Sequence, residues 1–267
     1  MKFITTALFV LLLLYCGTLT TFCQTDSSAA KPLVICHAFG SVDGHTYTNS
    51  REAFMANYRA GMRYFEVDFA LSRDGQLICY HPGEGGRLSI PVDDAECFTA
   101  REYAKLRIDE RYHTMNIDEV QRLMINYPDI YIVTDTKGWT KQLVRAFTDA
   151  LWKTRLSVHR RIILQIYKPS DYDLIAPMFR YFTFGGVIYT LYQLDISYQE
   201  VLDFVRDKSI FAIAVETERL HKRQSTILWL KSHGINVYVF TVNDRAMSEY
   251  VHKLGLDGIY TDTLIGS

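Results

Sequence analysis

Met62-Arg-Tyr-Phe-Glu-Val-Asp-Phe-Ala-Leu-Ser-Arg-Asp-Gly-Gln-Leu-Ile-Cys-Tyr-His81 is the stretch from which the rest of the sequence can be read. Its first half alternates as a strand does, so Glu66 and Asp68 project to one face while Phe65, Val67 and Phe69 project to the other. Two carboxylates aimed at one point repel each other unless a cation or a proton lies between them, which points to a site. The Arg73-Asp74-Gly75 turn follows, then a second apolar run, Leu77 to His81, that ends on a histidine.

Moving outward, the same pattern recurs. Leu33 to His37 reads as a buried strand stopping at a histidine, and a helix follows from a capping-box-like start at Asn49 and Glu52. Pro82 to Asn116 has weak periodicity and reads as a loop region with a helical run from Thr99 to Leu106. Ile117 to Tyr127 is helical, and Ile130 to Asp135 is a strand. Strands at Arg161–Tyr167, Gly186–Leu191, Ile210–Val215 and Ile235–Val242 then alternate with helices at Lys141–Thr154, Ser170–Tyr181, Tyr198–Asp207, Thr217–His233 and Asp244–Leu254. Gly258 to Asp262 closes the chain.

Eight apolar strands, with Leu77 to His81 counted as the third, alternate mostly with helices over about 230 residues. This predicts an α/β fold, a (β/α)8 TIM barrel in one domain over residues 33–267, with an open doubly wound sheet as the runner-up. No Gly-rich dinucleotide fingerprint follows the first strand.

The first 32 residues read differently. Lys2, the apolar run Ala7 to Cys16 and the small and polar residues after it predict an export signal over residues 1–23 and a linker over 24–32. The run is short for a membrane span, so an uncleaved anchor is the secondary reading, and lipid attachment at Cys16 or Cys23 is a lesser one. The expected location is therefore exported: periplasmic, extracellular or envelope-associated. Beyond the signal, Cys36, Cys79 and Cys97 form neither a disulfide framework nor a zinc pattern. A net charge of −1 supplies no basic surface for nucleic acid.

In a barrel the chemistry sits at the C-terminal strand ends, and the polar residues fall there. His37 ends the first strand, Glu66 and Asp68 the second, His81 the third, and Asp135 with Lys137 the fourth. Three carboxylates suit a hard cation, Mg²⁺ or Ca²⁺, and leave the two histidines for acid and base work.

At these positions the sequence resembles the glycerophosphodiester phosphodiesterase family of phospholipase C-like barrels. The resemblance runs through His37-Ala-Phe-Gly40, Thr48-Asn-Ser50, Phe65-Glu-Val-Asp68, Ser72-Arg-Asp-Gly75, Tyr80-His81, Thr134-Asp-Thr-Lys137, His233-Gly-Ile235, Phe240-Thr-Val-Asn243 and Gly255 to Asp262. It implies that Glu66, Asp68 and Asp135 hold one divalent cation, that His37 and His81 are the catalytic pair, and that Lys137 binds the substrate phosphate. The implied activity is metal-dependent cleavage of a glycerophosphodiester, or of a related lipid-headgroup or envelope phosphodiester.

The chain departs from the family pattern in Ala38 and Phe39 where an arginine is usual, Thr48 for glutamate, Asp135 for glutamate, Pro82 for aspartate and Phe240 for tryptophan. Arg87 and the glycines from Gly83 to Gly86 are candidates to replace the missing phosphate contact. Cleavage of intact lipids at a membrane surface, and a barrel that binds a phosphorylated ligand without turnover, are the alternative readings.

Overall fold

The computed structural model describes residues 33–83, 87, 94–192 and 197–264. β1 (Leu33–Cys36) passes through a 3-10 turn at His37–Phe39 and a loop into α1 (Arg51–Arg59) and β2 (Tyr64–Leu71), which turns back into β3 (Leu77–Cys79). A rim segment follows, with a 3-10 turn at Ala95–Cys97, α2 (Ala100–Tyr103) and the short pair β4 (Arg107–Ile108) and β5 (Tyr112–His113). After α3 (Ile117–Asn126) come β6 (Tyr131–Asp135), α4 (Lys141–Leu151) and α5 (Leu156–His159). Next are β7 (Ile162–Ile166), α6 (Pro169–Ile175) and β8 (Gly186–Thr190). The chain finishes with α7 (Tyr198–Asp207), β9 (Ala212–Glu216), α8 (Thr217–Ser232), β10 (Val237–Phe240), α9 (Arg245–Lys253) and β11 (Gly258–Thr261).

β1, β2, β6, β7, β8, β9, β10 and β11 pair in parallel, and β1 hydrogen-bonds both β2 and β11, which closes the barrel. The predicted (β/α)8 architecture is therefore the observed one, with one strand reassigned. Leu77–Cys79 is no barrel strand: β3 runs antiparallel to β2, with Phe69 opposite Cys79 and Leu71 opposite Leu77. The turn explains this, since a few residues can reverse a strand but a parallel neighbour needs a long crossover. The eighth barrel strand is β11.

Alternation sorts side chains between two cores. Ile35, Val133, Ile163, Ile188, Ala212, Ala214, Tyr238 and Tyr260 fill the barrel interior. Phe65, Val67 and Phe69 point outward into the apolar layer under the helices, as their spacing predicts. The bulky Tyr238 needs room from its neighbour, because a Cβ on Gly258 would lie 2.7 Å from the Tyr238 ring.

A third cluster of Ile78, Tyr80, Ala95, Phe98, Tyr103, Ile108 and Tyr112 sits beside β3. Tyr103 donates to the Cys79 carbonyl at 2.6 Å, fixing the strand that leads to His81. Cys36, Cys79 and Cys97 are free thiols. No helix among the described residues is long and apolar enough to cross a membrane. The expected signal and linker, residues 1–32, lie outside the described residues.

Candidate active site

The barrel register brings the polar strand ends to one level. Cys36 of β1 pairs with Phe65 of β2, and Asp68 of β2 pairs with Asp135 of β6. His37, the residue after β1, therefore lies beside Glu66, while Asp68 and Asp135 adjoin across the next strand pair. All three acids are buried, and one oxygen from each lies within 4.8 Å of the others. Ligand oxygens on one divalent cation, each about 2.0–2.6 Å from it, are separated by distances of this size.

Each acid is held by specific donors. The Ala38 N–H donates to Glu66 Oε2 at 2.8 Å, in a turn where Ala38 and Phe39 both adopt left-handed backbone. Glu66 Oε1 is buried with no hydrogen-bond partner. Asn49 clamps Asp68: its Nδ2 donates to Asp68 Oδ2 at 2.8 Å, and its Oδ1 accepts from the Asp68 N–H at 3.1 Å. Asn49 was expected as a helix cap, but Ser50 caps α1 by accepting from the Ala53 N–H. Asp135 accepts from Tyr167 at 2.5 Å and from the Lys137 ammonium at 2.6 Å.

Lys137 stands between Asp135 and Asp68, its Nζ 3.0 Å from Asp68 Oδ1. Burial opposes its charge, yet Asp68, Asp135 and Glu66 hold it firmly protonated. Burial, and then the neighbouring Asp68, push the Glu66 carboxyl well above the usual carboxylate range, against the pull of His37. Three buried acids with one ammonium and a histidine remain short of positive charge, and the orphaned Glu66 Oε1 is where a cation would find a ligand. The donor set is all oxygen and suits Mg²⁺ or Ca²⁺.

His37 is oriented from the far end of the chain. Its Nδ1 lies 2.9 Å from Asp262 Oδ1, and since a carboxylate only accepts, Nδ1 carries the hydrogen. Asn243 holds Asp262 in turn: its Nδ2 donates to Asp262 Oδ2 at 2.6 Å and its Oδ1 accepts from the Asp262 N–H at 2.8 Å. His37 Nε2 is left facing the acids, 3.7 Å from Glu66 Oε2. Burial disfavours the imidazolium, but Glu66 and Asp262 outweigh it and raise His37 to about 9. A divalent cation among the acids would offset those charges and draw His37 back toward its ordinary range.

His81 follows β3 and reaches the site from the rim, with its Nδ1 buried and without a partner. Tyr47 packs edgewise on both histidines, at 4.7 Å from His37 and 5.2 Å from His81. Burial, with Asp262 next, pushes the Tyr47 hydroxyl up to about 12, so it stays a neutral donor. The sequence reading had no signal for Tyr47 or for the positioning by Asp262. Arg87, the candidate replacement for the absent arginine, is engaged elsewhere: it binds Asp109 at 2.6 Å and the Thr46 carbonyl.

Two clefts meet at Asp135 and Lys137. One, the narrower, runs from His37 and Glu66 along Tyr167, Tyr192 and Phe240. Tyr192 stacks on Tyr167 and meets Phe240 edge-on, so this part of the tyrosine-rich run lines the mouth while Tyr189 is core. The other, the wider, opens past Asp68, Thr136 and Gln142 toward the turn after β2.

Solved structures share this fold at low identity. A glycerophosphodiester phosphodiesterase from Thermotoga maritima is 20% identical with a TM-score of 0.67, over 87% of this chain and 95% of that one. One from Parabacteroides distasonis is 16% identical with a TM-score of 0.69, over 87% and 94%. A phosphodiesterase from Oleispira antarctica, solved in complex with the product sn-glycerol-3-phosphate, is 16% identical with a TM-score of 0.70, over 86% and 93%. No curated protein matches the sequence. The profile of the glycerophosphoryl diester phosphodiesterase family matches residues 40–265, nearly the whole barrel, and the chain belongs to that family of phosphoric diester hydrolases.

Proposed function

We propose that the protein hydrolyses a water-soluble glycerophosphodiester, using one divalent cation held by Glu66, Asp68 and Asp135 and acid–base catalysis by His37 and His81. The observation that carries this reading is the convergence of three buried carboxylates with two histidines whose ring nitrogens are free to act. The cation, when bound, supplies charge stabilisation at the phosphoryl oxygens. Lys137 adds a second positive charge beside the same oxygens, a role consistent with its place between Asp68 and Asp135.

One histidine takes the proton from the attacking hydroxyl, and the other gives a proton to the departing alkoxide. Asp262 keeps the His37 ring hydrogen on Nδ1 and so presents Nε2 to the substrate. A diester has two arms, and the two clefts meeting at Lys137 and Asp135 offer one to each. The sn-glycerol-3-phosphate in the Oleispira relative supports a glycerol phosphate in one of them. The apolar run ahead of the barrel supports export.

The deciding assay offers soluble glycerophosphodiesters and intact phospholipid vesicles, with Mg²⁺ or Ca²⁺ and with excess chelator, and identifies the released alcohol and any cyclic phosphate. Release from the soluble diesters only with cation present is expected. His37→Ala and His81→Ala should each lower kcat by roughly 10²–10⁴-fold while circular dichroism stays native. Full turnover in excess chelator, or in either histidine variant, would sink this mechanism. Turnover of vesicles alone would favour the lipid-cleaving reading.

A further inference from the structure

The end of the barrel opposite the site carries an unusual surface. Among the described residues, the large apolar side chains left in water are Ile125, Trp152, Leu156, Tyr181, Tyr192 and Phe211. Tyr192 belongs to the mouth, but Trp152 and Tyr181, 61% and 64% exposed, gather at the other end, where α4 stops and the turn after α6 finishes. Their rings lie 5.7 Å apart, and Trp152 rests on Phe182 at 4.9 Å. Phe182 also meets His159 of α5, which places Leu156 in the same patch. Ile125 adjoins on α3, which packs against α5.

The exposed charges around these residues that lack a partner share one sign, since Asp149, one turn before Trp152, already pairs with Arg145. Lys153, Arg155, Arg160 and Arg180 are exposed, and none forms an ion pair among the described residues. No acid occurs from Trp152 to Arg161 or from Ala176 to Gly186. The nearby Asp129 is already paired with Arg63. Arg161 is spent internally, donating to the Met124, Tyr127 and Ile130 carbonyls. In a chain of net charge −1, this local excess of unpaired cations around exposed aromatics is a departure from the mean.

We propose that this face docks on an anionic lipid surface. Tryptophan and tyrosine favour the boundary between headgroups and acyl chains, and surrounding Lys and Arg gain from anionic headgroups. An apolar centre ringed by unpaired cations complements such a surface better than it does an acidic protein, which has no place for Trp152 and Leu156 to insert. The chain enters the barrel at the same end, at Leu33. Docking this way leaves the catalytic mouth facing water, which suits a soluble diester drawn from solution.

The test uses the full chain with vesicles of mixed phosphatidylglycerol and phosphatidylcholine, against phosphatidylcholine alone, at low and high salt. Two variants are compared, W152S/Y181S and K153E/R155E/R160E. Binding to anionic vesicles is expected, with a blue shift of tryptophan emission that disappears in W152S/Y181S and so belongs to Trp152, whereas Trp139 is buried and Trp229 half-buried. Each variant should weaken that binding by at least roughly tenfold. Turnover of a soluble diester should be unchanged in both, which shows them folded and keeps this result separate from the proposed activity. Equal binding by wild type and both variants, or equal binding to neutral vesicles, overturns the proposal. Dimerisation lost in the same variants, with no vesicle binding, overturns it in favour of a second copy of the chain.

Discussion

Asp262 and Asn243 orient His37 from outside the acid cluster. The Asn243 amide holds both the backbone N–H and one oxygen of Asp262, and the other oxygen holds His37. Replacing Asn243 with alanine frees Asp262 to rotate, and Asp262→Ala frees the imidazole. Both variants should lower kcat by roughly 10–100-fold with little change in KM, the expected scale for losing a partner that orients a reactive histidine. Asp262→Asn should recover part of the loss, since its amide oxygen still accepts from Nδ1. A steady-state comparison of the three decides it: equal loss in Asp262→Asn and Asp262→Ala would mean that charge matters and orientation does not.

At this scale the sequence was informative where spacing is local. Glu66 and Asp68 share a face because they are two apart, and of the residues that the ordered motifs pointed to, His37, Asp135 and Lys137 line one cleft with Glu66, while His81 adjoins through the Tyr47 ring it shares with His37. Asn49 and Asp262 were not assigned their roles because their partners are 19 and 225 residues away. No local pattern distinguishes a capping asparagine from one that grips a carboxylate across the barrel mouth.

Among elements, the β2–β3 hairpin shows where periodicity misleads. Leu77 to Cys79 is apolar and buried like a barrel strand, and only the shortness of the turn identifies it as an antiparallel return. Its departure from the barrel carries His81 over the rim, where it shares the Tyr47 ring with His37, and leaves the crossover to β6 to α3. The rim is also pinned by Asp109, which joins Arg87 and His45 at 2.6 and 2.8 Å.

Those pairings, the Arg87 hydrogen bond first, hold the Asp109 carboxyl below the ordinary aspartate range. A carboxylate with a depressed folded pKa adds stability that is present above its unfolded value, near 3.9, and fades as pH falls through the folded one. Wild type should therefore melt above Asp109→Asn from pH 5 to 7, by an amount near 1 kcal/mol for a partly exposed pair. The two melting temperatures should converge as pH falls below the depressed folded pKa. Parallel curves across the whole range would show that the pair is not ionic.

For the whole molecule, the barrel is a device that gathers like charges. Folding brings Glu66, Asp68 and Asp135 within 4.8 Å and buries them, whereas the unfolded chain scatters them through water. A divalent cation bound by that cluster therefore favours the folded state by RT ln(1 + [L]/Kd), about 2.7 kcal/mol at a hundredfold excess over Kd. For a domain of this size that raises the melting temperature by roughly 5–10 °C. Glu66→Gln should behave oppositely in the two conditions. It removes the acid that burial and Asp68 make hardest to ionise while its amide oxygen still accepts from Ala38, so in chelator it melts at or above wild type; with cation it gains little. Asn49→Ala should keep the cation response but need roughly 10–100-fold more cation to reach it, because Asp68 loses its clamp. Melting curves over a titration of Mg²⁺ and of Ca²⁺ separate these cases, and an equal rise in wild type and Glu66→Gln would place the binding outside the acid cluster.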